Sequence, residues 1–175
     1  MRIFALMCST IFGVAALAEA QTASPPPKPC TAPEARQFDF WLGDWTARFA
    51  GGDGKTVTGR NTVGTLYDGC VIVEQFDGAP GSPLKGMSHS VYDGNAKRWK
   101  QTWVDNSGGY LDFIGGWEGD RMILTRETER NGQRFQQRMV WFDISREAFN
   151  WHWERSDDGG KTWKVNWRIA YQRRQ

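Results

Sequence analysis

From residue 43 to the C-terminus the chain is broken at short, even intervals by clusters of Gly, Asn and Asp. This punctuation constrains the fold more than any other feature. The clusters include Gly51-Gly52-Asp53-Gly54, Asp68-Gly69, Asp93-Gly94-Asn95, Asn106-Ser107-Gly108-Gly109, Glu118-Gly119-Asp120, Asn131-Gly132 and Asp157-Asp158-Gly159-Gly160. Such residues accept the backbone angles of tight turns between adjacent antiparallel strands. No stretch after residue 40 carries a sustained 3.6-residue period. The segments between turns read as strands at 45–50, 56–66, 70–77, 85–93, 98–105, 110–118, 121–129, 133–143, 148–155 and 162–172. An even succession of turn-joined strands predicts an up-and-down meander, and closing it removes the open edges. The expected fold class is all-β, a closed antiparallel barrel of about ten strands.

Alternation within the strands assigns faces. Trp99, Gln101, Trp103 and Asp105 share one face, with Lys100 and Thr102 opposite. Trp163, Val165, Trp167, Ile169 and Tyr171 share another, with Lys164, Asn166 and Arg168 opposite. The charged sides are expected in water and the aromatic sides inside. Phe149, Trp151 and Trp153 oppose Asn150, His152 and Glu154, and alternation alone leaves open which of those faces points inward.

The N-terminus carries a different signal. Arg2, an apolar run from Ile3 to Leu17 and then Ala18-Glu19-Ala20 read as a secretory signal peptide over residues 1–20. The run is shorter than the roughly 20 residues a membrane span needs. Residues 21–30 form a Pro-rich leader, and residues 31–175 form the barrel domain. Thr31-Ala32-Pro33-Glu34 predicts a short helix at its start, with Thr31 as cap. The expected location is periplasmic or secreted, with no membrane insertion after cleavage. The net charge of +2 gives no nucleic-acid footprint. Cys30 and Cys70 remain after processing. In an oxidising compartment such a pair usually forms a disulfide, the alternative being two buried thiols. Closing a loop of this length stabilises by roughly 4 kcal/mol in the chain-entropy picture.

Phe38-Asp39-Phe40-Trp41-Leu42-Gly43-Asp44-Trp45 sets a Gly-x-Trp after a short helix and at the first strand. That arrangement resembles the opening of calycins, in which the Trp closes one barrel end. The set FDFWLGDW, WKQTWVDNSGG and SDDGGKTW, within residues 36–173, resembles a domain-of-unknown-function family of exported bacterial β-barrel proteins. The resemblance implies a calycin-like, lipocalin-like barrel and implies no reaction. Ser156 to Trp163 also fits the Asp box of sialidase-type propellers. A single copy cannot build a propeller, which needs four or more repeats, so this segment reads as the turn joining the last two strands.

Ten tryptophans in a chain of this size are its most unusual feature. Trp41, Trp45 and Trp163 have structural readings, whereas Trp99, Trp103, Trp141 and Trp167 are candidates for a cavity wall. Aromatic walls bind flat or apolar molecules. Glu74, Gln101 and Arg138 are the candidate polar contacts, with Arg138 as a partner for a buried Glu74 carboxylate, since a lone buried charge is costly. The leading expectation is a barrel that binds a small apolar or aromatic ligand. One alternative is a small exported lyase, isomerase or hydrolase using Glu74, Asp105 or His152 as proton carriers. Another is a structural envelope barrel with a filled interior. Asp105 also reads as a turn cap before Asn106-Ser107-Gly108-Gly109. His89 and His152 lack metal-site spacing to a second ligand, and His89 reads as an ordinary strand residue. Some calycin barrels hold haem through one His on a late strand, a place comparable to His152, but their Gly-rich opening is missing here. No cofactor is expected, with haem through His152 the one candidate. No G-x-S-x-G, H-E-x-x-H or phosphate-loop motif is present.

Overall fold

The turn clusters do the work expected of them. In the hairpin at Asn131-Gly132 both residues take positive φ, 53° and 75°, the backbone twist that matches flanking strands. The computed structural model describes residues 30–175, so the expected signal peptide and all but the last residue of the leader lie outside the described residues. The strands are β1 (Gly43–Ala50), β2 (Thr56–Leu66), β3 (Val71–Asp77), β4 (Lys85–Asp93), β5 (Arg98–Asp105), β6 (Tyr110–Glu118), β7 (Arg121–Arg130), β8 (Gln133–Phe142), β9 (Ala148–Ser156) and β10 (Lys164–Arg173). Each pairs antiparallel with the next, and β1 pairs with β10 from Trp45↔Arg173 to Arg48↔Ala170. The sheet is therefore a closed barrel with no open edge.

One end of the barrel is plugged. The expected short helix occurs as two successive 3₁₀ turns, Pro33–Arg36 and Asp39–Trp41. Ala32 rather than Thr31 holds the first cap position, and no side chain caps it. The turns carry Phe38 and Trp41 into the barrel, both fully buried. Phe38 meets Trp99 edge-on at 4.8 Å and Trp141 at 5.3 Å between ring centroids. Trp45 donates its indole N–H to the Trp41 carbonyl at 2.8 Å. Arg173 lies over the Trp45 ring at 4.1 Å and donates to the carbonyls of Leu42 (2.8 Å) and Arg146 (2.7 Å). Gly43 makes room for this lock: its φ is +125°, and a Cβ there would strike the Arg173 guanidinium.

The Cys30–Cys70 disulfide ties the segment that carries these turns, a strap from Cys30 to Leu42, to the β2–β3 turn at the same end. A disulfide fits a non-reducing compartment. No helix among the described residues is long and apolar enough to cross a membrane.

The faces largely follow the alternation. Trp99, Gln101 and Trp103 point inward from β5, and the open choice on β9 resolves with Phe149, Trp151 and Trp153 inside. The continuous face expected from Trp163 to Tyr171 is broken. Val165 pairs with Glu154 but Trp167 pairs with Trp153, so Asn166 is the extra residue of a β-bulge. The bulge turns Trp167, Ile169 and Tyr171 inward and leaves Trp163 and Val165 on the outer face. Trp163 stacks there under Arg138, with 4.0 Å from the guanidinium carbon to the ring centroid.

Replacing Arg173 with Met removes the charged hydrogen bonds and the ring contact together. The expected loss is about 2–4 kcal/mol, since each hydrogen bond to a charged group contributes about 1.5–3. Urea unfolding followed by tryptophan emission measures it. An unchanged midpoint would mean that the strap closes the barrel without the lock.

Candidate functional site

The plug fills only the lower part of the barrel. Above it lies a cavity of about 240 Å³, lined by fifteen residues. Trp41 and Trp141 form its floor, and their ring centroids are 5.3 Å apart. Trp103, Trp151, Trp153 and Trp167 rise around it with Phe76, Phe113 and Met139, and Leu84, Asp105 and Leu111 also contribute. Small neighbours set the orientation of Trp103. Its indole lies across Gly86, where any Cβ would strike the ring, and its N–H donates to Asp105 Oδ2 at 2.9 Å. Trp167 is held edge-on between Phe49, Phe76 and Trp151 at 5.4–5.8 Å. Such edge-to-face packing fixes the rings as a preformed wall.

Glu74 is the polar centre of this wall. It projects inward from β3 and is 8% exposed. Asn61 Nδ2 donates to Oε1 at 2.9 Å, and the Ser88 hydroxyl donates to Oε2 at 2.8 Å. Burial pushes its carboxyl up to about 7, against the pull of those two hydrogen bonds. Tyr171 stands nearby on β10, its phenol raised far above the usual range by burial and by the Glu74 charge. The Tyr171 hydroxyl is close enough to feel the Asn61 side chain, although Asn61 Oδ1 accepts no direct hydrogen bond. The indole N–H groups of Trp41 and Trp141 are likewise buried without a hydrogen-bond partner among the described residues. Buried donors of this kind usually have partners.

Of the expected cavity residues, the structure places Glu74, Trp103, Trp141 and Trp167 on the wall. Two others point inward but sit away from it. Trp99 packs into the plug and donates to Gln37 Oε1 at 3.1 Å, and Gln101 is buried against the Ser90 hydroxyl at 2.8 Å. Arg138 is not the partner of Glu74. Met139 and Trp141 on the same strand line the cavity, so Arg138 takes the outer face, where it bonds Glu154 Oε2 at 2.6 Å.

His152 also lies outside, opposite Trp151 and Trp153. Its Nδ1 is 3.2 Å from Glu154 Oε1, and its ring packs against Phe142 at 4.6 Å. From there its ring faces away from the cavity. Asp105 lines the mouth, but its carboxylate is engaged. Oδ1 accepts from the Ser107 hydroxyl and from the backbone N–H groups of Ser107 and Gly109, which hold the pKa at about 2. It is a turn cap and stays ionised at neutral pH. Of the three expected proton carriers, only Glu74 keeps a poised carboxyl inside the cavity. No cluster of three metal-ligating side chains occurs among the described residues.

Other residues of the site went unassigned. Asn61 alternates with the buried Val63 on β2, a polar residue in an apolar row, and that was the signal for it. Trp151, Trp153 and Tyr171 were visible as aromatic faces. Comparison with known protein families finds no matching family model, and comparison with curated proteins finds no matching relative.

The raised carboxyl of Glu74 has a consequence for stability. Its ordinary value of 4.5 rises to about 7 in the fold. The folded state therefore holds the proton more tightly than the unfolded state. The associated stabilisation is fully present below about pH 4.5 and is lost as pH climbs to about 7, a change of roughly 3 kcal/mol. Glu74→Gln keeps the shape, accepts from Asn61 through its amide oxygen and donates to a reoriented Ser88 hydroxyl, and should be pH-independent in this respect. The difference between wild type and E74Q, taken from urea unfolding at a series of pH values, should favour the variant progressively from about pH 5 to about pH 8. A constant difference across that range would mean that Glu74 ionises freely.

Proposed function

We propose that this protein is an exported barrel of the calycin kind that holds a small apolar or aromatic ligand. The observation that carries this reading is the preformed cavity, walled by six indoles. A filled structural barrel has no need for such a space. An apolar cavity of roughly 150 Å³ already admits a benzene ring, so this one has room for a substituted ring or a small bicycle. Trp45 at the plugged end, following Gly43, supports the calycin resemblance, and the disulfide and the N-terminal Arg2-to-Ala20 pattern support export.

Two measurements test the reading. Indole and naphthalene, as neutral probes, should quench the tryptophan emission saturably and raise the melting temperature, because a ligand that binds only the folded state stabilises it. Met139→Trp, which fills the cavity from β8, should abolish both effects. If no probe changes the emission and native mass spectra of the purified protein carry no bound species, the structural-barrel reading takes its place. Expressed with residues 1–20 in a bacterium, the protein should be recovered from the periplasm starting at Gln21, as intact mass will reveal. Recovery of the uncut chain in the cytoplasm would remove export.

A further inference from the structure

The charges on the cavity wall are one-sided. Among its lining residues two are ionisable acids, Glu74 and Asp105, and there is no Lys, Arg or His. The one basic residue expected to neutralise Glu74, Arg138, is on the outer face with Glu154. Both Glu74 oxygens accept hydrogen bonds from neutral donors, an arrangement that favours the carboxylate form but supplies no counter-charge. The neighbouring elements add none either. β2 and β4 present Asn61 and Ser88, β10 presents a phenol that stays neutral in Tyr171, and β5 presents the ionised Asp105 at the mouth.

We propose that the occupant of this cavity is a small organic cation, an amine or quaternary ammonium group on an aromatic or apolar body, with Glu74 as its counter-ion. The inference rests on the ligand-binding reading above and names the class of ligand. Two features of the wall select positive charge. The faces of indole and phenyl rings carry negative potential and attract ammonium groups, the more so when the site excludes water. An anion would meet those faces together with two carboxylates. A neutral hydrocarbon would leave the Glu74 charge unanswered in a buried site.

Because burial raises the Glu74 carboxyl to about 7, the site gains its charge within the neutral range. A bound cation favours the carboxylate, so binding below that range should release a proton to the buffer.

Isothermal titration calorimetry with three probes of one shape tests the proposal on the full mature chain. Benzyltrimethylammonium keeps its charge at every pH, benzyl alcohol is neutral, and benzoate is an anion. The cation should bind the wild type most tightly. Its affinity should rise ~tenfold or more between about pH 5.5 and about pH 8.5, as expected when a buried carboxylate ionises. Benzyl alcohol should show no such rise. In Glu74→Gln the advantage of the cation should disappear, with folding checked by circular dichroism. The wild-type pH profile decides the matter even if that variant does not fold. Benzyl alcohol binding as tightly as the cation at both pH values overturns the cation proposal and leaves the ligand-binding reading standing. Preference for benzoate does the same. Failure of all three probes to bind overturns the cation proposal, and the indole and naphthalene titrations then decide the ligand-binding reading.

Discussion

The closure of one barrel end by Arg173 is the contact on which the remaining geometry depends. A ten-strand sheet that closes on itself satisfies its own backbone but leaves two open ends. The strap from Cys30 to Leu42 fills one of them with Phe38 and Trp41. Its backbone makes only short 3₁₀ turns, so it cannot hold itself in place. Arg173 holds it by donating to the Leu42 carbonyl while stacking on Trp45, which in turn donates to the Trp41 carbonyl. The last strand, the first strand and the strap thus meet in one polar knot beneath an aromatic plug. Trp41 is both the top of that plug and the floor of the cavity, so the position of the cavity floor follows from the lock.

The walls follow from the same constraint. With the plugged end of the barrel filled by Phe38, Trp99, Phe149 and Trp45, the inward residues higher up have only one another to pack against. Large rings placed edge to face leave space between them. Small residues facing the ring positions, such as Gly86 under Trp103, hold individual rings in place without closing that space.

The fold could be read from the residues because hairpin punctuation is local. Every one of the ten expected strands occurs, with ends within about two residues of the expected ones. The errors arose where strict alternation was neglected or where it failed. Arg138 and Trp141 were both assigned to the cavity, yet they lie an odd number of residues apart on one strand and cannot share a face without a bulge. The same rule separates His152 from Trp151 and Trp153. On β10 the alternation itself misled. Trp163 and Val165 have the parity of Trp167, but the bulge at Asn166 reverses the face between them. Nothing local in Lys164-Val165-Asn166-Trp167 marks that bulge. It is set by the pairing with β9, which only the folded register contains. Asn61 and Ser88 were also hard to find, because a single polar residue in a strand gains meaning only from what stands opposite it.

Among the described residues the barrel buries two glutamates, and their surroundings contrast. Glu154, 7% exposed, lies on the outer face with every need met. Arg138 bonds one oxygen, His152 stands by the other, and the Trp163 indole covers Arg138. Such a group consolidates the turn between β9 and β10, and removing Arg138 would leave an uncompensated charge. Glu74 is buried to the same degree but receives only neutral hydrogen bonds. A fold that needed a polar residue there for packing alone would be better served by Gln, which has the same shape and no charge to desolvate. Keeping a carboxylate without a counter-ion in an aromatic cavity costs stability at neutral pH. That cost is intelligible if the missing positive charge arrives with the molecule the cavity holds.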